Sequence, residues 1–232
     1  MKQKTIVNIA IALAVLFLLA LAGRYGFTVV KIEDSQQAAE SEAFDPVKYV
    51  DGIWASALIP SFDEAVDLHQ ILSEVEVSEK GSASKENLLA IANKYGLITE
   101  GEALVFKVKG TGKIVQVNQS SMGTVEVALD GYDGPIKVLI FIGDRIPPDN
   151  TSVRDAVGFM KIGDFPNQVP YGQVSSEINM RIIRDVVGTL DKDNLVGKTV
   201  SFKGAFSIPT FNQIVIQAKE VKIAPVIFTL GE

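Results

Sequence analysis

The order of the β-forming segments restricts the fold of this chain more than any other feature. From Ala103 onward, "ALVFKVKG", "KIVQVNQ", "TVEVALD" and "IKVLIFIG" carry Val, Ile and Phe in partial alternation, as half-buried strands do. Gly110 and Gly112, then "SSMG", then "DGYDGP" divide these segments, and the last two read as hairpin connections. The glycine pair reads as a bend between two halves of a first strand. After an irregular stretch from Asp144 to Gly172, a helix is expected from about Gln173 to Leu190, where Val174, Ile178, Ile182, Val186 and Leu190 fall close to one face. "GKTVSFKGAF" and "QIVIQAKEVKIAPVIF" then give two more strands around the turn "SIPTFN". Three strand units, a helix and two strand units make the order of an OB-type five-stranded barrel, in which a helix fills one end. An open β-sandwich is the alternative arrangement of the same strands. The expected class is α+β, with a long insertion between the third strand and the helix.

Residues 45–98 read as a small helical subdomain ahead of a β domain at 99–232. Asp45 and Pro46 fit an N-cap and first helical position for "PVKYVDGIWASALI". Ser61 and Glu64 give a capping-box pattern for a second helix, and Ser84 opens a third that Gly96 stops. Before these, residues 28–44 turn polar and acidic and read as a linker, with "TVVKI" a short strand candidate. Residues 1–27 contain an uncharged run from Thr5 to Gly23 preceded by Lys2 and Lys4. Such a run is near the minimum length for a membrane-spanning helix, and the lysines favour keeping that end in the cytoplasm. The expected location is therefore extracytoplasmic, anchored in the cytoplasmic membrane. Ala20 and Ala22 also form an A-x-A pattern, so a cleaved, secreted form stays open.

The residue inventory argues against most catalytic classes. The absence of cysteine excludes a thiol nucleophile and a thiolate zinc site, and His69, the one histidine, lies in a helical pattern with no triad around it. No metal site and no cofactor are expected. "KGTGKIV" fails the phosphate-loop pattern, and "DGYDG" and "DKDN" do not continue as calcium loops. With 22 basic and 28 acidic residues the net charge is −6, which speaks against nucleic acid as a partner.

One stretch differs in kind: "SVRDAVGFMKIGDFPNQVPYGQVSSEIN", Ser152 to Asn179, interleaves charged and amide groups with apolar ones. A long loop has to satisfy its own backbone, and Arg, Asp and Asn suit that task; a ligand or partner site is the competing reading.

"FDPVKYVDGIWASALIP", "FKVKGTGKIVQV", "GTVEVALDG", "VRDAVGFMKIGDFPNQVPYGQV" and "LVGKTVSFKGAF", in this order, resemble the bacterial family of predicted periplasmic lipoproteins known as domain-of-unknown-function family 2291. The resemblance spans about residues 28–228. It implies an envelope location, an OB-like barrel and a genomic association with sugar ABC-transporter components, and it supplies no catalytic residue. Arg154, Asp155, Phe159, Asp164, Phe165, Asn167, Gln168, Tyr171 and Asn179 stand in the characteristic stretch. The missing cysteine excludes lipid attachment in this chain, which leaves the N-terminal helix as the anchor.

The expected function is thus a non-catalytic, membrane-anchored binding or accessory protein on the periplasmic side. Its expected partners are the inner membrane, and either sugar ABC-transporter components or a small carbohydrate. Candidate binding residues are Arg154, Asp155, Asp164, Phe165, Asn167, Gln168, Tyr171, Asn179 and Phe211. Barrel precedent directs ligands to the loops "NQSSMG" and "SIPTFNQ", where Phe211 offers either a stacking surface or ordinary packing. The competing functions are a hydrolase of envelope carbohydrate using Asp155 and Asp164, and a structural assembly factor.

Overall fold

The structure, a computed structural model, describes residues 44–231. The expected anchor at 1–27 and all but the last residue of the expected linker at 28–44 lie outside those residues. Among the described residues no helix is long and apolar enough to cross a membrane.

Helix α1 (Pro46–Ile53) begins where its cap predicts, with Asp45 Oδ1 accepting from Lys48 N–H at 3.0 Å. A π-helical turn, Trp54–Leu58, and a last turn, Ile59–Ser61, continue it. The capping box expected at Ser61 and Glu64 does not form. Ser61 is the end of this helix, its hydroxyl donating to Leu58 O at 2.7 Å; a single 3-10 turn, Phe62–Glu64, follows with no side-chain cap, and the next α-helix starts only after Asp67. The short strand β1 (Val66–Asp67) leads into α2 (Leu68–Ser73), then β2 (Ser82–Ser84) and α3 (Lys85–Tyr95). Ser84 caps α3 through Asn87 N–H, as its position predicts.

A two-residue strand β3 (Leu97–Ile98) precedes the long β4 (Ala103–Asn118), followed by β5 (Thr124–Leu129) and β6 (Lys137–Phe141). β4 is one strand of 16 residues, with a register shift between Ile114 and Gln116 against β5. Its middle pairs with neighbours on both edges, so the glycines there serve close approach. A Cβ on Gly112 would lie 2.3 Å from Ala128 O. The "irregular" stretch holds a short helix α4 (Ser152–Ala156), and the expected long helix starts earlier than its apolar spacing indicates, as α5 (Gln168–Arg181) with a π-helical extension, Ile182–Val187. The last segments are β7 (Thr199–Pro209), β8 (Val215–Gln217) and β9 (Glu220–Leu230). "SIP" belongs to β7, and "QIVIQAKEVKIAPVIF" breaks into β8, which pairs with β2, and β9.

Strand pairings run β4–β5–β6–β9–β7, and β7 returns to β4, so the chain of hydrogen-bonded neighbours closes on itself. All are antiparallel except β6–β9. Alternation then sorts the side chains into two cores. The inner one stacks Phe106 on Phe206 (5.0 Å between centroids) and takes in Leu68, Ile71 and Leu88 from α2 and α3, with Val187 and Leu195 after α5. The outer one packs Val50, Leu58 and Phe62 with Val174, Ile178 and Ile182 of α5, and with Ala205 and Ala224 of the sheet. Residues 44 to the C-terminus form one compact unit, and 45–98 contribute to both cores.

Candidate functional site

The polar residues of the 152–179 stretch mostly bond one another. Arg154 is buried; its Nε donates to Asp155 Oδ1 at 2.8 Å, its Nη2 lies 2.7 Å from the same oxygen, and its Nη1 donates to Tyr171 O at 3.1 Å. The guanidinium carbon sits 3.6 Å from the centre of the Tyr171 ring, close enough for a cation–π contact. Asp155 also accepts from Thr151 Oγ1 (2.6 Å) and Tyr171 OH (3.2 Å). Burial, and after it the Asp155 carboxylate, raise the Tyr171 phenol above its ordinary value. These three residues therefore form a closed knot that ties α4 to α5.

The other candidates extend the knot or lie outside it. Phe165 packs on Tyr171 (5.3 Å), Tyr49 (5.5 Å) and Phe44 (5.7 Å). Asp164 accepts from Lys161 N–H at 2.9 Å, and Asn167 caps α5 by accepting from Val169 N–H at 2.8 Å. Gln168 is exposed in the first turn of α5. Phe211, for which packing was the leading expectation, is instead 63% exposed on the loop after β7. Asp155 and Asp164 are each engaged locally, so they do not present the facing pair of free carboxyl groups that glycoside hydrolysis needs.

Asn179 leads to the residue that sequence reading missed. Its Nδ2 donates to Asn150 O at 2.8 Å, and Ser175 Oγ donates to the same carbonyl at 3.1 Å, which explains two buried polar side chains on α5. Asn150 Oδ1 accepts from Ser152 N–H (3.1 Å) and Ser152 Oγ (2.7 Å), while Asn150 N–H donates to Pro147 O (2.9 Å). Because Ser152 N–H can only donate, the atom facing it must be the amide oxygen, and this fixes the orientation of the amide. Asn150 Nδ2 is left without a partner among the described residues. Asn150 and the adjacent Thr151 form one wall of an open groove of about 570 Å³.

That groove lies where β7 and β9 separate. Its floor includes Phe141, Phe206, Ile208 and Val221, and its rim carries Ser207 and Gln213 from the expected loop "SIPTFNQ" together with Glu220 and Lys222. The loop "NQSSMG" borders a different opening, of about 520 Å³, with Asp144, Asp191, Lys192 and Asp193 on its rim. There Lys192 is paired with Asp144 (2.7 Å), Gln119 with Asp193 (3.0 Å) and Asp191 with Asn194 (2.7 Å), so its charged groups are already matched. None of the nine candidate residues lines either groove. Among the described residues no group of three or more acidic, His or Cys side chains is placed to hold a metal.

Comparison with solved structures finds similarity to an OB-fold protein from Thermotoga maritima, with a TM-score of 0.60 at 19% identity, covering 81% of this chain and 99% of that one. The likeness establishes a mixed α/β architecture with an OB-fold neighbour. No curated protein matches the sequence. The family model described as "predicted periplasmic lipoprotein (DUF2291)" matches residues 14–229, although this sequence contains no cysteine. The chain belongs to that family of predicted periplasmic lipoproteins.

Proposed function

We propose that the protein is a non-catalytic, extracytoplasmic binding or accessory protein, anchored in the cytoplasmic membrane by its N-terminal apolar segment and built on an OB-like five-stranded barrel. The groove between β7 and β9 is its ligand or partner face. One observation carries this reading: Asn150 is held by five hydrogen bonds yet keeps its amide donors unused at the wall of an open, apolar-floored groove. An oriented polar group beside apolar surface is what a ligand site provides. In this reading the Arg154–Asp155–Tyr171 knot positions the groove wall and touches no ligand. The family resemblance adds a sugar ABC transporter as the candidate complex to be served.

The test is a thermal-shift screen of the full chain in detergent against mono- and disaccharides, nucleotides and short peptides. A ligand at 100 times its Kd adds about 2.7 kcal/mol of stability, equivalent to roughly 5–10 °C for a chain of this size. A shift is expected in the parent protein and not in Ser207→Trp, which fills the groove from an exposed position. No shift with any class, or a shift that survives Ser207→Trp, overturns the assignment.

A further inference from the structure

Resting on that groove as the binding face, we propose that its occupant is an extended peptide strand carrying a basic residue, which inserts between the separated edges of β7 and β9. The β7–β9 ladder ends at Ala205 and Ala224, whereas β7 runs on to Pro209 and β9 starts at Glu220. Phe206 to Pro209 pair only with β4, and Glu220 to Ile223 only with β6.

Strand geometry shows where the leftover main-chain groups point. Thr210 N–H donates to Glu102 O at 3.2 Å, extending the β4–β7 ladder, so even-numbered residues here face β4. Ser207 therefore turns its N–H and C=O towards the gap. On the other side Lys137 N–H donates to Lys219 O at 2.9 Å, so odd-numbered residues of β9 face β6. Glu220 and Lys222 accordingly turn their N–H and C=O groups towards the same gap. Two free strand edges thus look at each other across the groove, and an unpaired edge is a template for another strand.

Side-chain chemistry narrows the occupant. A small apolar cavity of about 30 Å³ shares Phe206, Ile208 and Val221 with the groove, which suits the tip of one apolar side chain. At the rim Glu220 is paired with Lys222 (2.8 Å), whereas Asp149 has no ion-pair partner among the described residues. With a net charge of −6 on the chain, that free carboxylate selects a cationic residue on the incoming strand.

The experiment selects seven-residue peptides from a random displayed library against the full chain in detergent, then measures the best synthetic peptide by fluorescence anisotropy. Enriched sequences are expected to combine one apolar and one Lys or Arg residue. N-methylation of the peptide backbone should weaken binding at consecutive positions of the inserted segment, because successive N–H groups turn alternately to β7 and to β9. Ser207→Pro, which removes one gap-facing donor from an edge where proline is tolerated, should weaken binding roughly three- to tenfold with an unchanged melting temperature. Phe211→Ala, outside the groove, should bind as the parent does. Peptides insensitive to N-methylation, or equal binding by Ser207→Pro, overturn the strand proposal. A sugar or nucleotide blocked by Ser207→Trp with no peptide enriched overturns the strand and keeps the groove. No response to any probe overturns both.

Discussion

Replacing Arg154 with Met tests whether the polar residues of the 152–179 stretch hold the structure rather than bind a ligand. The side chains of Arg154 and Asp155 are 8% and 10% exposed, so the pair is largely screened from water. Removing the guanidinium deletes its contacts with Asp155 and Tyr171 O and its place over the Tyr171 ring, and leaves an enclosed carboxylate with only the Thr151 and Tyr171 hydroxyls. Breaking a buried pair from one side costs about 3–5 kcal/mol, because the surviving charge keeps its desolvation penalty. For a chain of this size that lowers Tm by roughly 6–20 °C. Asp155→Leu should cost a similar amount, since it strands the guanidinium.

The double variant Arg154→Met/Asp155→Leu separates the ion pair from the other contacts. With both charges gone neither desolvation penalty remains, and the loss should shrink to about 1–2 kcal/mol, from hydroxyl and carbonyl groups left without partners. The coupling between the two sites is then at least about 4 kcal/mol, measurable by urea unfolding with an unchanged slope. Single variants within 1 kcal/mol of the parent, or losses that simply add, would refute a structural role and return both residues to the list of ligand contacts.

Three smaller perturbations follow from the same contacts. Burial raises the Glu177 carboxyl above its ordinary value, with Arg184 pulling the other way. Its stabilising contribution is therefore present below the unfolded value of about 4.3 and is lost as pH rises through the folded value. Glu177→Gln should raise Tm at pH 7.5 and give no such gain at pH 4; an equal effect at both would contradict the linkage. Asn167→Ala removes the α5 cap and should cost about 1 kcal/mol in urea unfolding. Phe211→Ala should change stability by less than about 0.5 kcal/mol, because the ring is mostly exposed, and a larger loss would show that it packs.

Where a local rule and the tertiary arrangement agree, the sequence could be read directly. Asp45 and Ser84 cap the helices their spacing announces, and the hairpins at "SSMG" and "DGYDGP" join antiparallel neighbours. Ser61 and Glu64 satisfy the same kind of rule and fail, because the π-helical turn at Trp54–Leu58 carries the first helix through to Ser61. The start of α5 was hidden for another reason. Its first turn, Gln168 to Gly172, carries Pro170 and Gly172, which read as loop residues, although a proline there gives up only an N–H that the first turn of a helix leaves unpaired.

A buried knot and a ligand site draw on the same residue types, since each needs Arg, Asp, Asn and Tyr close to apolar neighbours. What separates them is whether the polar groups are already matched, and matching is a property of three-dimensional pairing. Arg154, Asp155 and Tyr171 are conspicuous in the sequence and fully engaged with one another. Ser207, Glu220 and Lys222 are inconspicuous, and their open valences belong to the main chain, which every residue but proline carries alike. Only the register tells them apart, because it stops pairing β7 with β9 at Ala205 while both strands extend past that point. If the strand-insertion reading holds, residues that position such a site can dominate a family's recognisable sequence while the atoms that contact the partner leave little side-chain signature.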